Sequence, residues 1–575
     1  MKKRDEIAAS TFEHGARPRP TSRRIALSGL LGGCALVLTA YGQAHAASVA
    51  VNGTCTLREA FDTVNNQSPA PGCAFTGQAP PAGCTYPGGS DLIIVPSGTF
   101  TQTDFLEINR NVWVCGNGVG VTTLRGNSAT SSFFLRAVDY NANGSPSMQV
   151  TFERMTIDHT SGNAFVTGIY AYQVILSVLK ARVAGFGSSG IIGDDANVYI
   201  DDSTIENNSS FFSGGGIQFN NPSAQQATIM ASLAITRSTI ANNTSSASGG
   251  GIYFSGGGTS NLVNVTISGN HAVDGGGISK DPLVQYIFLW FSTVAQNTAT
   301  NRGGGCSTVG DGGAQGVKLG ASIVGQNTAP SGPDVYGPVN QLIDSLIGNN
   351  SGTVIPPGVI DHSLINVSPN LDPVLRDLGG PYHTKVHRPF PGSQVIDYVL
   401  NPPSGFATDD QRKVIRPQFG AWSPSMPDIG AVEITRLETE ALTVAAKSSD
   451  AHVPVSGSQY SAGQGTNLQS NANNDFVTYS TSGAFPGGTY NVKIGFKKGT
   501  SGGKFQFAHA NFQNGPFTNI GGVQDGFASS NTWVTVDFGN VTFTSANTKY
   551  FRFLVTGTSG TGRQIFPDFI EVTRQ

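Results

Sequence analysis

One short word recurs along the middle of this 575-residue chain. Asp202-Ser-Thr-Ile-Glu-Asn-Asn208 returns as Arg237-Ser-Thr-Ile-Ala-Asn-Asn243, Asn264-Val-Thr-Ile-Ser-Gly-Asn270 and Phe291-Ser-Thr-Val-Ala-Gln-Asn297, and in weaker form at 321–327 and 344–350. The aligned apolar residues are Ile157, Val183, Ile205, Ile240, Ile267, Val294, Val324 and Ile347, spaced by 26, 22, 35, 27, 27, 30 and 23 residues. A second ladder keeps step: Gly214-Gly-Gly-Ile217, Gly249-Gly-Gly-Ile252, Gly275-Gly-Gly-Ile278 and Gly303-Gly-Gly-Cys306, with Ile169 and Ile191 as earlier members. Two ladders on one period mean one coil per repeat, and a coil buries its apolar side only by stacking on its neighbours. Short β-branched strands on this period predict a right-handed parallel β-helix. The recurring Asn208, Asn243, Asn270, Asn297 and Asn327 fit a hydrogen-bonded ladder at a turn. Cys306 stands where other coils place isoleucine and reads as a small buried apolar residue.

The composition agrees. Glycine is abundant, with 74 residues, and charged residues are only 12%, which suits many short strands and tight turns rather than solvated helices. Residues 1–46 read as an export signal. Arg17, Arg19, Arg23 and Arg24 precede an apolar run from Ile25 to Ala40, and Ala44-His45-Ala46 closes it,. Thr21-Ser-Arg-Arg24 resembles a twin-arginine signal, and Leu31-Gly-Gly-Cys34 offers the alternative of a lipid anchor on Cys34 instead of cleavage near Ala46,. The mature chain is therefore expected to be secreted or held at the cell surface. No later stretch reaches the ~20 apolar residues that span a bilayer. Removing 1–46 takes away seven basic and three acidic residues, leaving 27 basic and 34 acidic and a net charge of −7, which argues against nucleic acid as partner. A monomer is expected.

Four of the remaining cysteines, Cys55, Cys73, Cys84 and Cys115, crowd near the mature N-terminus and predict two disulfides formed in an oxidising compartment,. Three pairings are open. A zinc site is the alternative, but the spacings lack a C-x₂-C pair.

The ends of this region carry a resemblance. Thr54-Cys-Thr-Leu-Arg-Glu-Ala-Phe-Asp-Thr-Val-Asn65 resembles the N-terminal signature of secreted β-helix proteins that begin C-S-L-R-E-A. His362-Ser-Leu-Ile-Asn-Val-Ser-Pro-Asn-Leu371, Pro391-Gly-Ser-Gln-Val-Ile-Asp397, Thr408-Asp-Asp-Gln-Arg412 and Asp428-Ile-Gly-Ala-Val-Glu433 resemble their closing segment. The likeness spans roughly residues 50–433 and implies architecture; relatives of this type include adhesin-like surface proteins as well as polysaccharide-active enzymes. The domain plan is thus 47–125 as a disulfide-bearing cap with the first coils, 126–434 as β-helix and closing segment, and 436–575 as a separate unit. That last unit alternates aromatic strands such as Lys504-Phe-Gln-Phe507 and Tyr550-Phe-Arg-Phe553, a β-sandwich pattern,. Leu437-Glu-Thr-Glu-Ala-Leu442, Gly487-Gly-Thr-Tyr-Asn-Val-Lys493 and Phe566-Pro-Asp-Phe-Ile-Glu-Val572 resemble jelly-roll carbohydrate-binding modules. That resemblance implies a structural calcium on Glu438, Glu440 and Asp568. Trp533 and Tyr460 are candidates to stack on a sugar ring, against the reading that each is simply buried.

Chemistry is sought on the outward side of the first ladder. With Ile157, Val183, Ile205 and Ile240 inward, alternation turns the neighbouring rows outward. They read Arg154, Lys180, Asp202, Arg237; then Thr156, Arg182, Thr204, Thr239; then Asp158, Ala184, Glu206, Ala241. Seven charged groups thus gather over four coils, stacked about 4.8 Å apart. β-Elimination on a uronic-acid polymer needs a base beside the carboxylate and cations to hold the developing charge. Lys180 or Arg182 would be that base, with Arg154 and Arg237 neutralising the substrate. Asp158, Asp202 and Glu206 would alternatively hold calcium for the same purpose. Tyr170 and Tyr253, outward on the second ladder, would donate a proton or stack on sugar. The bland alternative is a surface ion-pair ladder. Gly193-Asp194-Asp195 resembles one motif of β-helix pectin hydrolases, but their companion G-H-G and R-I-K motifs are absent. His159, His271, His362, His383 and His387 form no metal-ligand spacing. The expected function is a polysaccharide lyase acting on an acidic polymer, with a sugar-binding module appended. The alternative is a non-catalytic adhesin or matrix protein.

Overall fold

The computed structural model describes residues 47–575 apart from 129–130, 141–145, 161–164, 223–230, 283–285, 309–314, 391–392, 397, 401–407, 415, 417–425, 435, 458, 461–462, 482–486, 545–546, 561 and 575. The expected export signal, Cys34 and Ala46 lie outside the described residues. Among these, no helix is long and apolar enough to cross a membrane.

Both sequence ladders stack in register. Ile157, Val183, Ile205, Ile240, Ile267, Val294, Val324 and Ile347 pair coil to coil in a parallel sheet that runs from Gly98–Gln102 to Leu364–Ile365. All eight are fully buried. We call this the asparagine sheet. Ile169, Ile191, Ile217, Ile252, Ile278 and Cys306 line up in the same way in the glycine sheet. Cys306 is buried, and burial pushes its thiol up to about 12, so it packs as an apolar side chain. A third parallel sheet closes each coil, through strands such as Gln149–Glu153, Ile175–Leu179, Asn197–Asp201 and Ser232–Thr236. Its inward residues, Leu176 and Val178, Val198 and Ile200, Leu233 and Ile235, are buried but repeat no fixed word. An inward strand position requires only apolar volume, so this face is silent in the repeat.

The words that do recur belong to corners. Between the third and asparagine sheets, Arg154, Lys180, Asp202, Arg237, Asn264, Phe291, Ala321, Asp344 and His362 all take positive φ, between 41° and 60°. These left-handed residues turn the chain sharply and throw their side chains outward at the edge. Where a serine follows, it faces inward. Ser203, Ser238, Ser292, Ser322, Ser345 and Ser363 each accept from a backbone N–H of the preceding coil, as in Ser203 N to Ser238 Oγ at 3.0 Å. At the next corner the asparagine ladder forms: Asn243 Oδ1 accepts from Asn208 N and Nδ2, both at 3.0 Å, and the pattern repeats through Asn270, Asn297 and Asn327 to Asp334. The glycine runs are steric. Gly249 has φ +69°, and a Cβ on Gly250 would lie 2.4 Å from the Gly276 carbonyl of the next coil,.

An N-terminal cap covers the open end of the stack. Helix Leu57–Asn66 starts with a capping box formed by Thr56 and Glu59 and buries Leu57, Ala60, Phe61 and Val64,. Disulfides join Cys55 to Cys73 and Cys84 to Cys115, choosing one of the three open pairings. Closing loops of 18 and 31 residues stabilises by about 3 kcal/mol each on the chain-entropy account. Among the described residues of 436–575, two large antiparallel sheets face one another, beside a two-stranded one of His452–Ser456 and Gln464–Leu468. Of the large sheets, one contains Gly488–Lys498, Thr532–Phe543 and Phe566–Arg574; the other contains Phe476–Ser480, Tyr550–Thr558 and Gly503–Ala510. Val477, Tyr479, Ile494, Phe496, Phe505, Phe507, Phe551 and Phe553 fill the space between them.

Candidate functional site

The outer face of the asparagine sheet is not open along its length, because the closing segment folds back over it. Thr239 Oγ1 donates to the Lys385 carbonyl at 2.8 Å and accepts from Gln411 Nε2 at 3.0 Å. Thr266 Oγ1 donates to Gln411 Oε1 at 2.7 Å, Ser268 Oγ meets His387 Nε2 at 2.7 Å, and Ala431 N donates to Thr293 Oγ1 at 3.0 Å. Thr239, Thr266 and Thr293 are buried as a result. The predicted outward row exists in the predicted register, but from Thr239 onward it holds the closing segment.

Toward the N-terminal coils the same face carries the charged residues singled out above, and the closing segment adds to them. Lys180 and Asp202 sit at the left-handed corner, as does Arg237. Lys413 Nζ lies 2.8 Å from Asp202 and 4.7 Å from the centre of the Tyr382 ring; Lys180 Nζ lies 5.6 Å from that ring. Arg237 reaches Asp202 at 3.1 Å and Asp201 at 2.6 Å. Burial pushes the Asp202 carboxyl above its usual range, with Asp201 adding to the shift, and burial does the same for Asp409. Tyr382, Lys413 and Asp409 come from the closing segment, more than 170 residues from their partners. No local spacing signals such a meeting.

The remaining charges are committed in pairs. Lys180 Nζ is 2.7 Å from Glu153, a fully buried carboxylate that also accepts from Thr85 N, Thr85 Oγ1 and Trp113 Nε1 at 2.8 to 3.0 Å. Arg182 meets Glu206 at 2.6 Å, while Asp158 takes two hydrogen bonds from Arg125 at 2.8 and 2.7 Å. Arg182 therefore does not bridge Asp158 and Glu206. Arg154 stands apart, donating to the Asn117 carbonyl at 2.9 Å and packing beside Gly83 of the cap. The three carboxylates Asp158, Asp202 and Glu206 each face a different cation. Among the described residues one group of three potential metal ligands clusters within 4.8 Å, Cys84, Cys115 and Glu153, and its cysteines are joined as a disulfide.

Tyr170 and Tyr253 share one outward row of the glycine sheet with Ile192 and Gln218 between them, so they belong to another face than Lys180. Tyr170 packs on Phe133 with ring centres 4.6 Å apart. Burial raises its phenol, with Asp194 adding to the effect, and burial likewise raises Asp194. Asn220 Nδ2 donates to Asp194 at 2.5 Å.

In the sandwich, Glu438 and Asp568 are buried and Glu440 half-buried. Burial, with Glu438 and Asp568 adding, pushes the Glu440 carboxyl up to about 8, and its Oε2 has no hydrogen-bond partner. One buried oxygen of Glu440 thus lacks a partner, but among the described residues Glu438, Glu440 and Asp568 do not bring their ligand atoms within 4.8 Å of one another, so the calcium that the sequence resemblance implies remains an expectation. Arg388 of the closing segment also pairs with Glu438. Tyr460 is 5% exposed and packs edge-on against Trp533 at 5.4 Å. This buried packing leaves Tyr460 little face for a sugar.

The fold is therefore a capped parallel β-helix followed by a β-sandwich. No family model matches the chain, and no curated protein matches it. Among solved structures, parts of the chain are similar to a xanthan lyase from Paenibacillus, at 27% identity over 26% of this chain and 15% of that one, with a TM-score of 0.22. Similarity extends to a carbohydrate-binding module, CBM36, in complex with calcium and xylotriose, at 21% identity over 24% of this chain and 99% of that one, TM-score 0.18. A family 35 carbohydrate-binding module from an environmental isolate matches at 19% identity over 24% of this chain and 93% of that one, TM-score 0.19. The chain thus spans a small fraction of the xanthan lyase.

Proposed function

We propose that this is an exported protein that acts on an acidic polysaccharide, cleaving a uronic-acid polymer by β-elimination at the edge of the asparagine sheet. One observation carries the reading: Lys180 from the stack and Lys413 from the closing segment converge on Tyr382 beside the Arg237–Asp202 pair. Cations placed together on a rigid edge favour a carboxylate and the negative charge that builds when the adjacent proton leaves. Lys180 or Arg182, released from its carboxylate and in its neutral form, removes that proton, Arg237 and Lys413 hold the carboxylate, and the sandwich keeps the polymer close. Mature protein incubated with alginate, pectate and glucuronan should give rising ultraviolet absorbance from the unsaturated product. Lys180→Ala and Arg182→Ala should each lower the rate, and the variant that removes the base should lower it by roughly 10²-fold or more. No absorbance rise on any of these polymers would sink the lyase reading.

A second reading is favoured by the pairing itself. Each of Arg125, Lys180, Arg182 and Arg237 already faces a carboxylate, as in a face that ties coils together and binds glycan without cutting it. Retained polymer binding with no new reducing ends would support that alternative.

A further inference from the structure

The outer face of one sandwich sheet carries an arginine with no acid to meet. On strand Tyr550–Thr558, Phe551, Phe553 and Val555 point into the core, which sends Arg552 outward. Its Nε donates to Thr478 Oγ1 at 2.9 Å. The guanidinium carbon lies 3.6 Å from the centre of the Phe517 ring and 4.1 Å from that of Phe476. Two rings from separate parts of the chain thus flank the guanidinium, and Thr478 fixes its orientation. Its cross-strand neighbours, Thr478 and Ala508, are small and buried, so the two rings are the bulk beside the fork. Among the described residues neither Nη nitrogen meets a hydrogen-bond acceptor, and no carboxylate pairs with it.

That arrangement is unusual for a structural arginine. Burial alone holds the guanidinium below its ordinary value, with no neighbouring acid to offset it. Several other half-buried arginines of this chain are paired with acids: Arg125 with Asp158, Arg182 with Glu206, Arg302 with Asp274. A planar fork presented edge-on matches the two oxygens of a carboxylate, and aromatic faces beside it suit the C–H face of a pyranose.

We propose that Arg552, flanked by Phe476 and Phe517, is a binding site for the carboxylate of a uronic-acid residue. The site rests on the protein's ligand being an acidic polysaccharide, and is independent of whether the β-helix cuts it. It differs from Trp533 and Tyr460, which lie on the other sheet and in a loop and pack on each other.

Full-length protein would be titrated calorimetrically with polygalacturonate, alginate, the same polymers with their carboxyl groups reduced to alcohols, and a sulfated galactan. Wild type should bind the two polyuronates and lose most affinity for the reduced polymers. Arg552→Gln should weaken binding by roughly tenfold or more, and Arg552→Lys should fall between, because an ammonium keeps the charge and loses the fork. Phe517→Ala, in a surface loop, should weaken binding while leaving the melting temperature near wild type. Polyuronate binding by Arg552→Gln at wild-type strength would overturn the proposal, as would equal binding of the reduced polymers or stronger binding of the sulfated galactan. Failure of wild type to bind any polyuronate would remove the parent reading as well. Polyuronate cleavage with binding indifferent to Arg552 would remove this site alone.

Discussion

His387 is held as a neutral imidazole between two fixed partners. The Asp372 carbonyl lies 2.7 Å from Nδ1 and requires a proton there, so Nε2, 2.7 Å from Ser268 Oγ, accepts. Burial lowers its pKa below 6.5; the Asp372 carbonyl and carboxylate oppose that shift, and the same carboxylate is held by Arg376. The released segment binds a proton more readily than the docked one. Stability contributed here is present above about 6.5 and falls as pH drops toward the docked value, each unit of depression amounting to about 1.4 kcal/mol. Proteolysis within 371–434 should therefore accelerate as pH falls below about 6.5, and His387→Gln should flatten that dependence. A profile unchanged by the substitution would show that other groups control docking. The carboxyl groups of Glu438, Glu440 and Asp568 supply a second test. Calcium should raise the melting temperature of the chelator-treated protein, and Glu440→Ala should abolish the increment. An equal calcium shift in both proteins would place the ion elsewhere.

At the scale of the element, the corners are more specific than the strands. Asn243 donates to the Ile205 carbonyl and to Asn270, and accepts two hydrogen bonds from Asn208, all in a buried stack. Asn243→Ala leaves several of those groups without partners and should cost about 2–4 kcal/mol, read from denaturant unfolding. A loss below about 0.5 kcal/mol would mean that water replaces the amide. This asymmetry explains what is legible in the sequence. The asparagine and glycine words stand out because a left-handed turn, or a backbone carbonyl 2.4 Å from a would-be Cβ, admits few residue types,. The third sheet leaves no such word because Leu176, Val198 and Leu233 need only be apolar. The serine ladder is present in the repeated Ser-Thr pair but carries no mark of its direction. Arg552 sits in plain view in Tyr550-Phe-Arg-Phe553; alternation alone says that it points outward, and only the folded loop shows Phe517 beside it.

Across the whole molecule, motifs that resemble a family signature prove to be clamps. Gln411 of Thr408-Asp-Asp-Gln-Arg412 bridges Thr239 and Thr266 on adjacent coils. Asp410 holds Arg412, and Glu433 of the last motif holds Arg416, whose guanidinium lies 4.6 Å from the Phe291 ring. Sequence spacing places Lys180, Asp202 and Arg237 on one edge because they share a register within successive coils. Tyr382 and Lys413 are out of reach of that reasoning, since a segment that returns across the stack obeys no period. Arg388 then links the closing segment to Glu438 at the start of the sandwich.

The closing segment touches particular coils through particular side chains: Lys385, His387 and Gln411 on the strands that hold Thr239, Thr266 and Ser268, and Ala431 on the strand that holds Thr293. It therefore acts as a ruler. Coils inserted ahead of Lys180 would leave every mark aligned, whereas deleting one between Thr293 and Ile365 would slide the whole scale by one coil, about 4.8 Å, and none of these marks would find its partner. The stack is free to vary in length at its N-terminal end and fixed at the other, and Lys180, beside Tyr382 of the closing segment, lies where that freedom begins.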